Sequence, residues 1–135
     1  MNNKINKMRK QGVIAFRTAL DDSGGTFSLG EVTDLLNISP IEVQGRVVRK
    51  SLLAVDFEGE LQFPIWQFVG AEVIEELSEL LSILKEFSPA SVILFFLTFD
   101  EDLNCNPIQA IQSRDDNKLE MVFMLAHQWR QQTAR

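Results

Sequence analysis

The pattern of hydrophobic and polar positions in the first half of the chain predicts a series of short helices. Apolar residues recur at helical spacing from about Asn3 to Asp21, and Ser23-Gly24-Gly25 ends that segment. Ser28-Leu29-Gly30-Glu31 is a capping box, in which the Ser and Glu side chains bond backbone N–H groups left free at a helix start. A second helix is therefore predicted through Leu36.

The next segment predicts a third helix and then a β-hairpin. After a turn at Asn37-Ile38, Ser39-Pro40-Ile41-Glu42 repeats the capping signature with Pro at the first helical position, so we expect a helix to about Lys50. Alternating apolar residues from Leu52 to Phe63 predict a hairpin, or wing, that turns near Gly59. Two short helices joined by a tight turn behind an earlier helix have the layout of a helix-turn-helix unit.

The second half of the chain carries helical patterns only. Apolar spacing predicts one helix over Ala71–Phe87, and Ser88-Pro89 caps another that carries Val92–Phe99. A one-turn helix starting at Pro107 and a last helix over Asn117–Gln131 complete the prediction.

These elements predict a mainly α protein with two modules that meet at Gly70. Residues 1–69 are predicted to form a winged helix-turn-helix with a short β-hairpin. Residues 70–135 are predicted to form a C-terminal helical domain that serves association with a partner.

Charge is distributed unevenly along the 135 residues, whose net charge is −6. Residues 1–50 carry eight basic and five acidic side chains, whereas residues 51–135 carry five basic and fourteen acidic ones. The negative net charge of the whole chain argues against nucleic acid as a partner. The uneven distribution, however, describes a mildly cationic N-terminal part on an anionic helical body. Such a body suits a basic protein partner.

Bulk properties also indicate where the chain works. Cys105 is the single cysteine, so no intrachain disulfide can form, which fits a reducing cytoplasm. The apolar stretch Gly12–Phe16 is too short for a signal-peptide core. The longest apolar run, Val92–Leu97, falls far short of the ~20 residues that span a bilayer. We predict a cytoplasmic protein that does not enter a membrane.

No group of residues in the sequence nominates a catalytic or metal site. The acidic loop that begins at Asp100 has Cys105 at the sixth position and Ile111 at the twelfth, where a calcium loop needs Gly and Glu. His127 is the only histidine, and no motif supplies it with a nucleophile and a carboxylate. We predict a protein that is not an enzyme and that has no cofactor or metal.

The third predicted helix supplies the candidate DNA contacts. Gln44 can read adenine and Arg46 can contact a base or a phosphate, while the later cations suit backbone contacts. Cations of the N-terminal segment can add salt-sensitive phosphate contacts, although they equally fit a solvated helix face. The predicted DNA-binding residues are Ser39, Ile41, Gln44, Arg46, Arg49, Lys50, Lys4, Lys7, Arg9 and Lys10.

The last predicted helix is apolar around most of its circumference. A stripe that contains Leu119, Val122 and Phe123 accounts for only part of its apolar residues. A helix of this kind is buried on several sides or lies at an interface. We favour an interface over ordinary core packing, and the predicted partner-binding residues are Met121, Met124, Leu125 and Trp129.

Three segments of the chain resemble one family of proteins. The run from Phe27 to Ser39, with Val43, Arg46 and Leu52–Val55 beyond it, is similar to the helix-turn-helix of small bacterial Xre-type regulators. Leu61–Phe68 resembles a Phe/Tyr-Pro-x-Trp-Gln-Phe motif that follows it in many relatives. The C-terminal part resembles the Xre/MbcA/ParS-like toxin-binding domain of antitoxins. The residues that carry this resemblance are Phe95-Phe96-Leu97, Leu103-Asn104, Asn106-Pro107-Ile108, Ala110-Ile111 and the closing helix.

This resemblance implies a DNA-binding antitoxin or regulator that is typically a homodimer. In antitoxins of this group the C-terminal helical domain binds the cognate toxin, and the helix-turn-helix represses the shared operon. The expected partners are double-stranded operator DNA, a toxin protein and a second copy of the chain. Because Glu42 repels phosphate, a second class stays open: a protein-interaction module whose helix-turn-helix is a scaffold that does not bind DNA.

Overall fold

The computed structural model describes residues 15–133, which are mainly helical and include two small antiparallel sheets. This secondary-structure content confirms the prediction of a mainly α protein with a β-hairpin. The predicted start of the first helix and the cations Lys4, Lys7, Arg9 and Lys10 lie outside the described residues.

Helix α1 comprises residues 15–22 and ends where two consecutive glycines leave the helical conformation. Gly24 and Gly25 have φ angles of 116° and 85°. The Gly25 N–H donates to the Leu20 carbonyl over 2.9 Å, which closes the end of the helix. The predicted Ser23-Gly24-Gly25 terminator is therefore confirmed.

Helices α2 (Leu29–Leu36) and α3 (Pro40–Val48) are joined by a tight turn. The predicted capping box of α2 is present, since the Glu31 N–H donates to the Ser28 hydroxyl and the Ser28 N–H donates to the Glu31 carboxylate. Asn37 closes α2 in the left-handed conformation, with φ of 56°. The cap geometry thus sets both ends of this short helix.

Three strands pack against this helix pair: β1 (Thr26–Ser28), β2 (Val55–Phe57) and β3 (Glu60–Pro64), in the order β1-β3-β2. The two strands of the predicted hairpin turn through Glu58 and Gly59, whose φ angles are 54° and 87°. Two successive positive φ angles match the twist of a hairpin, and the prediction of a turn near Gly59 is confirmed.

A compact connection follows β3 and corrects one predicted helix. After a 3₁₀ turn over Ile65–Gln67, strands β4 (Phe68–Val69) and β5 (Glu72–Val73) form a second antiparallel pair. The helix predicted over residues 71–87 is wrong at both ends, because α4 occupies only Leu77–Ile83 and turns follow it.

Three further helices complete the chain: α5 (Pro89–Leu97), α6 (Pro107–Ser113) and α7 (Asp116–Thr133). The element predicted as one turn at Pro107 is seven residues long. It has its own capping box between Asn106 and Gln109, which supports the longer helix. Within residues 15–133, no helix has the length and apolar character needed to cross a membrane.

Two hydrophobic clusters hold these elements together. The smaller joins α2, α3 and the three-stranded sheet through Val32, Val43, Leu52, Ala54 and Phe63. The larger includes buried residues on both sides of Gly70, among them Leu20, Leu53, Val55, Trp66, Phe96, Ile111, Val122 and Ala126. The N-terminal elements up to β3 and the C-terminal helices therefore share apolar core.

Candidate nucleic-acid interface

Helix α3 turns one side toward the core and leaves a long apolar side in solvent. Val43 is fully buried against α2 and the sheet. On the other side, Ile41 and Val48 are 80% and 79% exposed, and Gln44 between them is also exposed. Positions 41, 44 and 48 fall on one face of a helix because their spacings are three and seven residues. The predicted contacts Ile41 and Gln44 thus lie side by side on this face.

The predicted cations Arg46 and Arg49 are both bound to a carboxylate of their own helix. Arg46 Nε lies 3.4 Å and Arg49 Nη2 lies 3.1 Å from Glu42 Oε1. The guanidinium groups of Arg46 and then Arg49 hold the pKa of Glu42 below its ordinary value of 4.5. The structure brings together two of the predicted phosphate contacts, but it places a negative charge between them.

The second predicted capping signature, at Ser39–Glu42, is only half formed, because the two arginines hold the Glu42 carboxylate. The Glu42 N–H donates to the Ser39 hydroxyl over 3.1 Å, so Ser39 is the N-cap of α3. The Glu42 carboxylate does not accept a hydrogen bond from the Ser39 N–H, because it accepts from the two arginines further along the helix. The predicted DNA contact Ser39 therefore has a structural role, although the residue is exposed.

Gly45 makes room for this arrangement. A Cβ atom at Gly45 would lie 3.0 Å from Arg49 Nη1, so the Arg49 side chain crosses the helix directly over the glycine. This path lets Arg49 reach Glu42, seven residues earlier. The sequence alone does not reveal this spacing role of Gly45.

Lys50 follows the end of α3 and is exposed, with φ of 63°. Among the described residues no ion pair with Lys50 is formed, so its ammonium group is the least committed cation of this region. The remaining predicted cations belong to the N-terminal segment outside the described residues.

The hairpin beside the helix pair is acidic. Asp56, Glu58 and Glu60 surround its tip, and all three are exposed. The Asp56 carboxylate accepts from the Gly59 N–H over 2.8 Å, which stabilises the turn. These carboxylates repel phosphate, so DNA contact by this region is favoured at α3 rather than at the hairpin tip.

The predicted partner-binding residues of the last helix divide into two groups. Met121, Leu125 and Trp129 pack against the larger core, and the Trp129 ring lies 5.1 Å from that of Phe95. Only Met124 is mainly in solvent, at 54% exposure. For Met121, Leu125 and Trp129 the structure shows the alternative that was less favoured from the sequence, a helix that packs on several elements at once. Leu94 and Phe99 are exposed apolar residues that the sequence did not single out.

The Pro-x-Trp-Gln-Phe run has a structural role that its sequence did not reveal. Gln67 is fully buried, and its side-chain amide donates to the carbonyls of Leu53 and Pro64 and accepts from the Leu53 N–H. These bonds fasten the chain entering β2 to the chain leaving β3. Trp66 packs on Phe96, with ring centroids 5.1 Å apart, and links the sheet to α5.

Groups able to bind a metal are absent from the part of the chain that the structure describes: no cluster of three or more His, Cys, Asp or Glu side chains is formed there. His127 is exposed on α7, and Cys105 is a half-buried free thiol.

The fold has a counterpart among solved structures. The NMR structure of Rv2175c superposes with a TM-score of 0.67 and 23% sequence identity, covering 77% of this chain and 80% of that one. At this identity the similarity concerns the fold alone. No protein-family model matches the sequence, and no curated protein sequence matches it.

Proposed function

We propose that this chain is a DNA-binding transcriptional regulator with a winged helix-turn-helix, and that α3 is its reading helix. The observation that carries the proposal is the face formed by Ile41, Gln44 and Val48, which projects from a helix anchored by Val43. Two short capped helices, a tight turn and a following hairpin support the same assignment.

The chemistry of this face suits base contacts in a major groove. The Gln44 amide can bond the N6 and N7 edge of adenine, and the Ile41 side chain can contact a thymine methyl group. Arg49 and Lys50 lie at the other end of the helix, where backbone phosphates would flank the groove. Specificity would thus come mainly from Gln44 and apolar contact.

The Glu42 carboxylate limits the affinity of α3 for DNA. To contact phosphate, Arg46 and Arg49 must exchange the Glu42 carboxylate for a phosphate oxygen. Exposed ion pairs contribute little stability, so the exchange is feasible, but the remaining carboxylate lowers DNA affinity. A weak operator interaction that dimerisation strengthens is the expected result.

Fluorescence anisotropy with the DNA upstream of the chain's own gene tests the proposal. At about 50 mM salt, where phosphate contacts are strong, we expect saturable binding. Gln44→Ala should weaken it roughly 5- to 150-fold, the equivalent of about 1–3 kcal/mol for a bidentate base contact. Gln112→Ala, the same change on the exposed surface of α6, is the matched control and should leave affinity unchanged.

Glu42→Gln supplies an opposite expectation on the same assay. Removing the carboxylate frees both arginines, so affinity should rise, and Glu79→Gln on α4 should not reproduce the gain because that residue lies on another element. No binding by the parent chain at low salt, or equal effects of Gln44→Ala and Gln112→Ala, would reject α3 as a reading helix.

We further propose that the C-terminal helical part binds a protein, with a toxin as the expected partner and the whole chain acting as an antitoxin-like homodimer. Exposed Leu94, Phe99 and Met124 support an apolar contact, and the acidic charge of residues 51–135 suits a basic partner. Co-expression with the neighbouring gene product should yield a stable complex, which Met124→Glu should weaken. Gln128→Glu on the same helix is the control.

A protein-interaction module that does not bind DNA is the second candidate. It is favoured by the 80% and 79% exposure of Ile41 and Val48 and by the neighbouring acidic hairpin. It predicts no anisotropy change with DNA but a stable complex that Ile41→Glu disrupts, so the two assays together separate the candidates.

A further inference from the structure

A large groove separates α1 from the hairpin and the start of α5. Phe16 and Phe57 meet across it with ring centroids 5.6 Å apart, and the Arg17 guanidinium carbon lies 5.0 Å from the centre of the Phe57 ring. Ala90 of α5 also lines the groove. The groove therefore has an aromatic floor that is open to solvent.

Carboxylates form the rim of this groove. Asp56, Glu58 and Glu60 line it from the hairpin, and all three are exposed. Arg17 is the only cation among the described lining residues, and it lies 3.9 Å from Asp21. An aromatic floor under an acidic rim fits a segment that combines cations with flexible apolar side chains.

The chain itself contains such a segment directly before the groove. Residues 1–14 include Lys4, Lys7, Arg9 and Lys10 and no acidic residue, with Ile5 and Met8 between the cations. Phe16, Arg17 and Thr18, which follow the segment almost at once, already line the groove. A 14-residue segment can span up to roughly 50 Å when extended, so its length does not prevent a return to the hairpin.

We propose that the acidic groove binds the basic N-terminal segment of the same chain, residues 1–14. Lysine and arginine heads would lie against the carboxylates of the hairpin, and Met8 or Ile5 would contact the aromatic floor. Because the segment is covalently attached, its effective concentration at the groove is of the order of millimolar, which favours it over a free basic peptide of equal affinity.

The contact has a consequence that rests on the proposed function. Cations held by the hairpin are not available to DNA phosphates, so DNA and the groove compete for the same side chains. The groove would act as an internal substitute for DNA and weaken non-specific binding. The test of the contact contains no DNA, so its failure is distinguishable from failure of the proposed regulator.

Paramagnetic broadening in the full-length chain tests the contact. A nitroxide is attached at Asn3→Cys in a Cys105→Ser background, and amide signals of the hairpin are compared with those of a diamagnetic sample. We expect strong broadening at residues 56–60 at low salt. It should disappear in about 1 M salt, where charges are screened within about 3 Å.

Charge reversal identifies the carboxylates. Glu58→Lys with Glu60→Lys should abolish the broadening, whereas Glu75→Lys with Glu79→Lys changes the net charge equally at exposed sites outside the groove and should preserve it. Absence of broadening at the hairpin, or equal broadening in both double variants, would overturn the proposal. Broadening seen only between spin-labelled and isotope-labelled copies would assign the groove to a second molecule and also overturn it.

Discussion

Gln67 shows how one buried polar side chain can determine a local structure. Its amide makes three hydrogen bonds, at 2.8, 2.9 and 3.1 Å, to backbone groups of Leu53 and Pro64. We expect Gln67→Leu to lower the free energy of unfolding by about 2–4 kcal/mol, because the buried backbone groups lose their partners while the volume is nearly kept.

Urea denaturation of the two proteins measures this loss. Gln112→Leu, an exposed change of the same kind, should stay within about 0.5 kcal/mol of the parent. A similar small effect of Gln67→Leu would show that the buried amide is not needed to hold the connection.

Glu42 provides a second residue-scale prediction, which concerns pH. Its pKa is lowered first by the hydrogen bond from Arg46 and then by Arg49. A lowered pKa means that the ion pairs stabilise the fold above the ordinary value of 4.5 and that this contribution is lost as pH falls through the lower folded value.

Carboxyl NMR titration checks this directly. The Glu42 midpoint should lie below the ordinary value of 4.5, and Arg49→Gln should move it upward toward that value. An unchanged midpoint in Arg49→Gln would mean that the 3.1 Å contact does not persist in solution.

At the scale of elements, the sequence predicted best those helices whose ends are defined locally. The Ser28–Glu31 box and the Gly24-Gly25 terminator act within a few residues, so they can be read directly from the sequence. Strand β1 was missed because three residues carry no measurable periodicity.

The misassigned segment after Gly70 shows where local pattern fails. Val73 and Ile74 fit a helical spacing, but the Ile74 N–H donates to the Gln67 carbonyl over 2.8 Å and so continues the β4–β5 turn. This hydrogen bond depends on the preceding segment that contains Gln67. The spacing of apolar residues in the sequence therefore gives no sign of it. Ile41 and Gln44 of the exposed α3 face were named from the sequence, whereas Val48 was not. The binding of both arginines by Glu42 required the three-dimensional path over Gly45.

The turn between β4 and β5 can be tested by substituting Gly70, with Gly30 as the comparison. Gly70 has φ of 60° with open space around it, so Gly70→Ala should cost about 1–2 kcal/mol through backbone conformation alone. Gly30 lies in the first turn of α2 without positive φ, and Gly30→Ala should be neutral or slightly stabilising. Thermal or urea unfolding of both variants measures the difference, and equal effects would contradict the assigned turn.

At the scale of the whole molecule, charge and core lead to different divisions of the chain. Charge separates a cationic first part from an anionic body at about residue 50. Core packing crosses that division, since Leu20, Leu53 and Trp66 belong to the same cluster as Phe96 and Val122. Helix α3 itself packs in the smaller cluster through Val43, and the sheet links it to the larger one, because Val55 of β2 belongs to the larger cluster.

The proposed DNA-reading role of α3 is tested most directly by an NMR titration at low salt, in which the isotope-labelled full chain receives the DNA upstream of its own gene. A duplex of about 20 base pairs accommodates two half-sites one helical turn apart. We expect the largest chemical-shift changes at Ile41, Gln44, Val48 and Lys50, and we expect them to diminish as salt is raised. Changes confined to other elements, or none at low salt, would contradict α3 as the DNA-reading helix.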